Sequence, residues 1–190
     1  MSDINMDMIN ACRPNGVMFD IGANHGKYTI EMAKKAKIVY AFEPSPENIT
    51  ILREKTIHLP NVRIQEIALS NIKGKTKLMI VSNPGGHSIH ASLSGKAWKH
   101  NLDNSVDVNV TTLDKFCQEN NIDRVDGIKI DVEAHELEVL LGAKETLKKC
   151  HPLMAIEIHQ TVDLKAIVNI LCDCDYDVPA LKFDRGYFLK

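Results

Sequence analysis

The sequence predicts an open α/β fold, a mostly parallel sheet with helices on both faces, and three observations carry that prediction. Strand-like and helix-like segments alternate along nearly the whole chain. The apolar run Val17-Met18-Phe19-Asp20-Ile21 turns through Gly22-Ala23-Asn24-His25-Gly26 into a helical pattern, the strand, loop and helix that open such folds. Later strands also end on acids, at Glu43, at Asp131 and at Glu157 with His159 close behind. Ligands in open α/β sheets sit outside the carboxyl ends of the strands, so these groups are expected along one rim with Asp20.

Taken in order, residues 3–12 read as a short leading helix, and Arg13-Pro14-Asn15-Gly16 as a turn into the first strand. Tyr28, Ile30, Met32 and Ala33 give a helix over 26–35 with lysines near its end. Ile38–Phe42 is the second strand. Ser45 is the expected cap and Pro46 the first-turn proline of a helix reaching Lys55. Val62–Ala68 reads as a third strand, Lys75–Val81 as an inserted edge strand and Val106–Val110 as another strand. Thr112 caps a helix from Leu113 to about Asn120. Gly127–Asp131 is the next strand. The helix after it carries Leu137, Leu140 and Leu141 on one side and closes at Gly142. A helix over 143–149, a strand over 153–159, a helix over 162–172 and two short strands in the tail complete the pattern. Residues 82–104, with Asn83-Pro84-Gly85-Gly86 and the lone Trp98, read as a long inserted loop or lid containing one helical turn.

At 190 residues the chain makes one domain, 1–190, with room for a substantial core. A domain cut from a larger glycan enzyme would read the same way. The composition, 44% hydrophobic and 25% charged, is that of a globular protein rather than a disordered one. A net charge of −2 gives no electrostatic support for nucleic-acid binding. No apolar run approaches the ~20 residues that cross a bilayer, and the acidic N-terminus lacks the regions of a signal peptide. Five cysteines form no disulfide framework, and Cys172-Asp173-Cys174 has no second pair at zinc spacing. A cytoplasmic protein with reduced thiols is expected.

The loop Gly22–Gly26 is one residue shorter than the dinucleotide fingerprint. Gly22 permits a sharp turn and close approach to a ligand, and Gly26 a tight start to the helix. A carboxylate at Asp20 would repel a pyrophosphate but suits a cation. The loop therefore fits S-adenosylmethionine, with its sulfonium and ammonium, better than NAD. Glu43, 21 residues past Gly22 at the end of the second strand, sits where a carboxylate accepts ribose hydroxyls. Ser70, after the third strand, is placed near the adenine.

Five stretches together resemble one family: Phe19–Thr29, Ala41–Asn48, Ile67–Asn71, Thr112–Asp114 and Ile128–Glu136 are similar to the FkbM methyltransferases, in order, over about residues 17–159. The resemblance implies a Rossmann-like class I fold with a seven-stranded, mostly parallel sheet and S-adenosylmethionine as donor. It implies O-methylation of a sugar, a glycan or a secondary metabolite. The donor set is then Asp20, Gly22, Ala23, Asn24, Gly26, Tyr28, Thr29, Glu43 and Ser70. Gly85-Gly86-His87-Ser88 also echoes a glycine-rich patch of the family, which makes His87 and Ser88 substrate candidates, and His135 is a further, separate one. Ala134 departs from the family, which commonly has glycine there.

Methyl transfer needs a hydroxyl held in line with the methyl group and a base for its proton. His159 is the first choice of base because its pKa suits neutral pH. Glu133 and His135 are alternatives, and Asp131 orients donor or substrate. If a divalent ion such as magnesium takes part, Asp131, Glu133 and Glu157 offer hard oxygen ligands, though no motif demands it. The rivals are weaker. A nicotinamide oxidoreductase lacks the glycine spacing and a Tyr-x-x-x-Lys pair. A 2′-O-methylating RNA enzyme is opposed by the near-neutral charge. An inactive S-adenosylmethionine-binding sensor or scaffold would keep the same donor residues. Small molecules or glycans are the expected partners, with no nucleic acid and no membrane insertion, and oligomeric state is not encoded in any motif.

Overall fold

Alternation along Val17–Ile21 decides how the chain folds around it: Phe19 and Ile21 face one side, Met18 and Asp20 the other, and all four are buried. A strand buried on both faces belongs in the middle of a parallel sheet. The computed structural model describes residues 3–82, 89–92, 105–159, 162–177 and 187–189. Its elements are α1 (Ile4–Ala11), β1 (Val17–Ile21), α2 (Lys27–Ala33), β2 (Ile38–Phe42), α3 (Pro46–Thr56), β3 (Val62–Gln65), β4 (Ala68–Leu69), β5 (Gly74–Ser82) and β6 (Ile89–Ser92). They continue with β7 (Ser105–Thr111), α4 (Leu113–Glu119), β8 (Gly127–Ile130), α5 (Glu136–Leu141), α6 (Lys144–Cys150), β9 (Leu153–Ile156), α7 (Leu164–Asp173) and β10 (Tyr187–Leu189).

The main sheet has the order β10-β9-β8-β1-β2-β3 and is parallel except for β10, which runs antiparallel to β9. On one face, Phe19, Ile21, Phe42, Ile128, Ile130, Met154 and Ile156 pack with side chains of α4 to α7. Phe116 from α4 sits edge-on against both Phe19 and Phe42, with ring centres 6.2 and 4.8 Å away. On the other face, Met18, Val39 and Ala155 meet Met8 and Ile9 of α1 and Met32 of α2. Each large side chain so buried contributes about 1.5–3 kcal/mol.

The α/β class is as predicted, but the strand count is not. Among the described residues, six strands form the main sheet and four form a second one, β4-β7-β5-β6, instead of a single seven-stranded sheet. The expected third strand, 62–68, splits between the two. Val62–Gln65 pairs with β2, and Ala68–Leu69 crosses over to pair with β7. Lys75–Val81 is not an edge strand, because β5 lies between β7 and β6. Within the expected loop at 82–104, residues 89–92 form a strand antiparallel to β5; the expected helical turn, Trp98 and the glycine patch lie outside the described residues. The strand expected over 153–159 stops at Ile156; Glu157 N still donates to Ile130 O of β8 at 2.9 Å, and His159 lies beyond the strand. Thr112 caps α4 as expected, accepting from Lys115 N at 3.1 Å. Ser45 occupies the cap position of α3, but its hydroxyl makes no capping bond.

Candidate active site

β1 ends at a loop whose backbone is fixed before any ligand is considered. Gly22 and Ala23 donate their N–H groups to Phe42 O, each at 3.0 Å, tying the loop to the end of β2. Gly22 has φ +79°, and a Cβ there would lie 1.8 Å from Asp131 O. Only glycine lets β1 and β8 end this close together. Gly26, at φ +82°, starts α2 with its α-carbon against Leu52 of α3.

Asp20 does not line the cleft. Its carboxylate, 1% exposed, accepts from Thr29 Oγ at 2.5 Å and lies 3.2 Å from Lys129 Nζ. Strand register causes this, since Asp20 and Lys129 are direct cross-strand partners on the α2 side of the sheet. The Lys129 ammonium also donates to Gly22 O at 2.7 Å and stands 3.7 Å from Asp131. Burial works against its charge, but Asp20 and Asp131 outweigh burial and hold its pKa above the ordinary value. The cation that Asp20 holds in this fold is therefore the protein's own.

The cleft opens between the carboxyl ends of the main sheet and the start of the second sheet. Gly22, Asn24, Glu43 and Asn48 form one side, Ile67, Leu69 and Leu78 a second, and Asp131, Val132, Glu133 and His135 the third. Glu43 is 4% exposed. It accepts from Asn24 N at 2.8 Å and Ser45 N at 2.9 Å, with Asn48 Nδ2 at 3.4 Å. Burial pushes its carboxyl up, against the opposing pull of those donors. Asn48 is itself held by His25, which donates from Nε2 at 3.1 Å. Ser70 Oγ lies 3.0 Å from His135 Nε2 and reaches the cleft through that imidazole.

Beyond β8 the chain makes a left-handed turn. Glu133 has φ +53° and Ala134 φ +71°, so the position where the family commonly has glycine is one where φ favours it. The turn brings Glu133 to His159, which donates from Nε2 at 3.1 Å, and His159 donates from Nδ1 to Glu136 at 2.8 Å. These two carboxylates push the imidazole up to about 10, so it is a cation at neutral pH. Burial raises Asp131, partly offset by Lys129, and burial likewise raises Glu157.

Of the residues predicted from sequence, Gly22, Asn24, Glu43, Asp131, Glu133 and His135 line the cleft, and His159 stands behind Glu133. Ala23, Gly26, Tyr28 and Thr29 support the loop without lining it; Tyr28 bonds Asp3 at 3.0 Å through its hydroxyl. His87 and Ser88 lie outside the described residues. Asp131, Glu133 and His159 each bring one donor atom within 4.8 Å of the others, so His159 replaces Glu157 in the trio offered for a metal. Three residues escaped the sequence reading. Asn48, Lys129 and Glu136 fall within the stretches that resemble the family, but the sequence gives none of them a role of its own. The buried lysine was the one usable signal, because an unpaired cation is not tolerated there.

This architecture is that of class I methyltransferases. Methyltransferase FkbM from Methylobacillus flagellatus superposes with a TM-score of 0.63 at 19% identity, over 93% of this chain and 44% of that one. SMU.1697c from Streptococcus mutans, solved in complex with SAH, gives 0.55 at 13% identity over 97% and 92%. At such identities the likeness is one of fold. Residues 20–178 match the Methyltransferase FkbM domain, and the chain belongs to that family. It is 25% identical over 180 residues to the hexuronic acid methyltransferase AglP of Haloferax volcanii, covering 94% of this chain and 70% of AglP. It is 31% identical over 150 residues to the 2-O-methyltransferase NoeI of Sinorhizobium fredii, covering 72% of this chain and 61% of NoeI.

Proposed function

We propose that this chain is an S-adenosylmethionine-dependent O-methyltransferase acting on a hydroxyl of a sugar, a glycan or a secondary metabolite. The observation that carries the reading is Glu43, a buried carboxylate at the end of β2 that faces the cleft with its two oxygens aligned by backbone N–H groups. The donor set suits the cofactor chemically. Glu43 accepts the ribose hydroxyls, Leu69, Leu78 and Val132 offer apolar surface to the adenine, and Asp131 faces the cationic end. AglP, a hexuronic acid methyltransferase, supports a sugar acid as acceptor, and NoeI, a 2-O-methyltransferase, supports transfer to a hydroxyl oxygen.

Bound there, S-adenosylmethionine supplies the methyl group, its carbon–sulfur pair staying on sulfur as the new carbon–oxygen bond forms. The chain's own work is to hold the acceptor hydroxyl and remove its proton. Glu133 is the proposed proton acceptor, because it lines the cleft whereas His159 already carries a proton on each nitrogen. No divalent ion is assigned: both nitrogens of His159 face carboxylates, which leaves the trio with Asp131 and Glu133 short of one ligand. Chelation with EDTA should leave donor affinity unchanged, and a loss would restore the metal to the site.

Calorimetric titration of the whole chain with S-adenosylmethionine, with NAD as control, tests the reading. Donor binding is expected and NAD binding is not; the reverse would overturn it. Glu43→Ala should weaken donor binding by about 1–3 kcal/mol, roughly 5- to 150-fold, by leaving ribose hydroxyls unpaired. Unchanged affinity would remove Glu43 from the site. Methyl transfer to hexuronides and to sugars with a free 2-hydroxyl is the first acceptor screen. A cytoplasmic setting accompanies the proposal, supported by five free cysteines; recovery with the membrane fraction would contradict it.

A further inference from the structure

Glu136 has no part in the functions assigned so far, yet it is the most deeply buried carboxylate near the cleft, with no exposed surface at all. An acid in that position is costly unless its partners need it. One oxygen accepts from Ala134 N at 3.1 Å and from His159 Nδ1 at 2.8 Å; the other has no hydrogen-bond partner among the described residues. The opposite nitrogen of the same imidazole reaches Glu133, which lines the cleft. The backbone between the two acids is the left-handed pair Glu133 and Ala134, and strained backbone of this kind persists where function requires it.

We propose that Glu136 is a positioning residue for methyl transfer: it fixes the His159 ring through Nδ1, so that Nε2 holds the Glu133 carboxylate at the cleft. The inference rests on the O-methyltransferase reading and deepens it. As the acceptor oxygen gains the methyl group, its hydroxyl proton passes to Glu133, and His159 keeps both of its own protons. The ring thus orients the proton acceptor and balances its charge, while the buried acid keeps the ring from turning. The arrangement follows the logic of an orienting carboxylate, an imidazole and a reacting group, with the reacting group here a carboxylate.

Glu136→Gln separates this role from a purely structural one, because the amide oxygen can still accept from Ala134 N–H while the negative charge facing His159 Nδ1 is removed. In nitrogen-edited proton NMR of the whole chain, the wild type should show two slowly exchanging His159 imidazole N–H signals. In Glu136→Gln the Nδ1–H signal should shift or vanish and the Nε2–H signal should broaden. Unaltered signals would overturn the proposal. With an acceptor in hand, the variant should lose about 10- to 100-fold in kcat with KM for the donor within about twofold, the behaviour of a group that acts on the chemical step. The double variant with His159→Gln should then lose no more than His159→Gln alone; additive losses would place Glu136 outside the relay. Should Glu136→Gln fail to fold, Glu133→Gln gives the complementary measurement. There the Nδ1–H signal must persist while the Nε2–H signal changes, and loss of both would refute the assignment. Titration of the wild type with S-adenosylhomocysteine reports on the cofactor reading separately: failure to bind would sink that reading and leave the imidazole signals as they are.

Discussion

Two residues in the rim loops are set by backbone conformation. At Gly22, a side chain would need both φ +79° and room that Asp131 O already occupies at 1.8 Å. Gly22→Ala should cost about 3 kcal/mol or more, because β1 and β8 must part to admit the methyl group. Urea denaturation measures that, and a loss under about 1 kcal/mol would show that the two strand ends yield easily. At Ala134 the sign is opposite. The left-handed φ of +71° costs an L-residue about 1–2 kcal/mol, and glycine recovers most of it at the expense of a more flexible unfolded chain. Ala134→Gly should therefore stabilise the protein by up to about 1 kcal/mol. A fall in the urea midpoint would mean that packing of the buried methyl group outweighs the strain.

Among the elements, β8 has the most to do. Its Ile128 and Ile130 build the core on one face, while Lys129 on the other is 3% exposed and neutralises Asp20. Lys129 also holds Gly22 O, so one side chain joins the strand, the loop after β1 and the first acid. Lys129→Met should destabilise by about 3–5 kcal/mol, since breaking a buried pair strands the remaining charge. The double variant Asp20→Asn with Lys129→Met should recover most of that loss in the same urea series. If the single and double variants were equally unstable, lost packing of the lysine stem would be the cause instead.

Across the whole molecule, the site lies where two sheets meet: the main sheet supplies the carboxylates, and the second sheet the apolar side formed by Leu69 and Leu78. His159 couples that site to global stability. Its folded pKa of about 10 stands above the ordinary 6.5, so its stabilising contribution is complete below about pH 6.5 and is lost as pH rises through 10. Between pH 7 and pH 10 the wild type should lose on the order of 2 kcal/mol more than His159→Gln. Parallel stability curves for the two proteins would show that the paired carboxylates contribute nothing.

The sequence by itself determined the α/β alternation, the glycine loop after β1 and the acids at the ends of β2 and β8. These depend on contacts along the chain, and periodicity, turn residues and strand ends report them directly. It also marked Ala134 as unusual, although only the backbone angle explains why. Tertiary structure decided the rest. Asp20 meets Lys129 through strand register, Gly22 meets Lys129 across 107 residues, and Glu136 meets His159 across 23. The split of 62–68 between two sheets likewise depends on β7, far along the chain. A local pattern gives the side of a strand on which a charge falls, but not the partner that folding brings to it. For the same physical reason, Asp20 reads from sequence as a ligand for a donor cation and proves in the fold to be the counter-ion of a buried lysine.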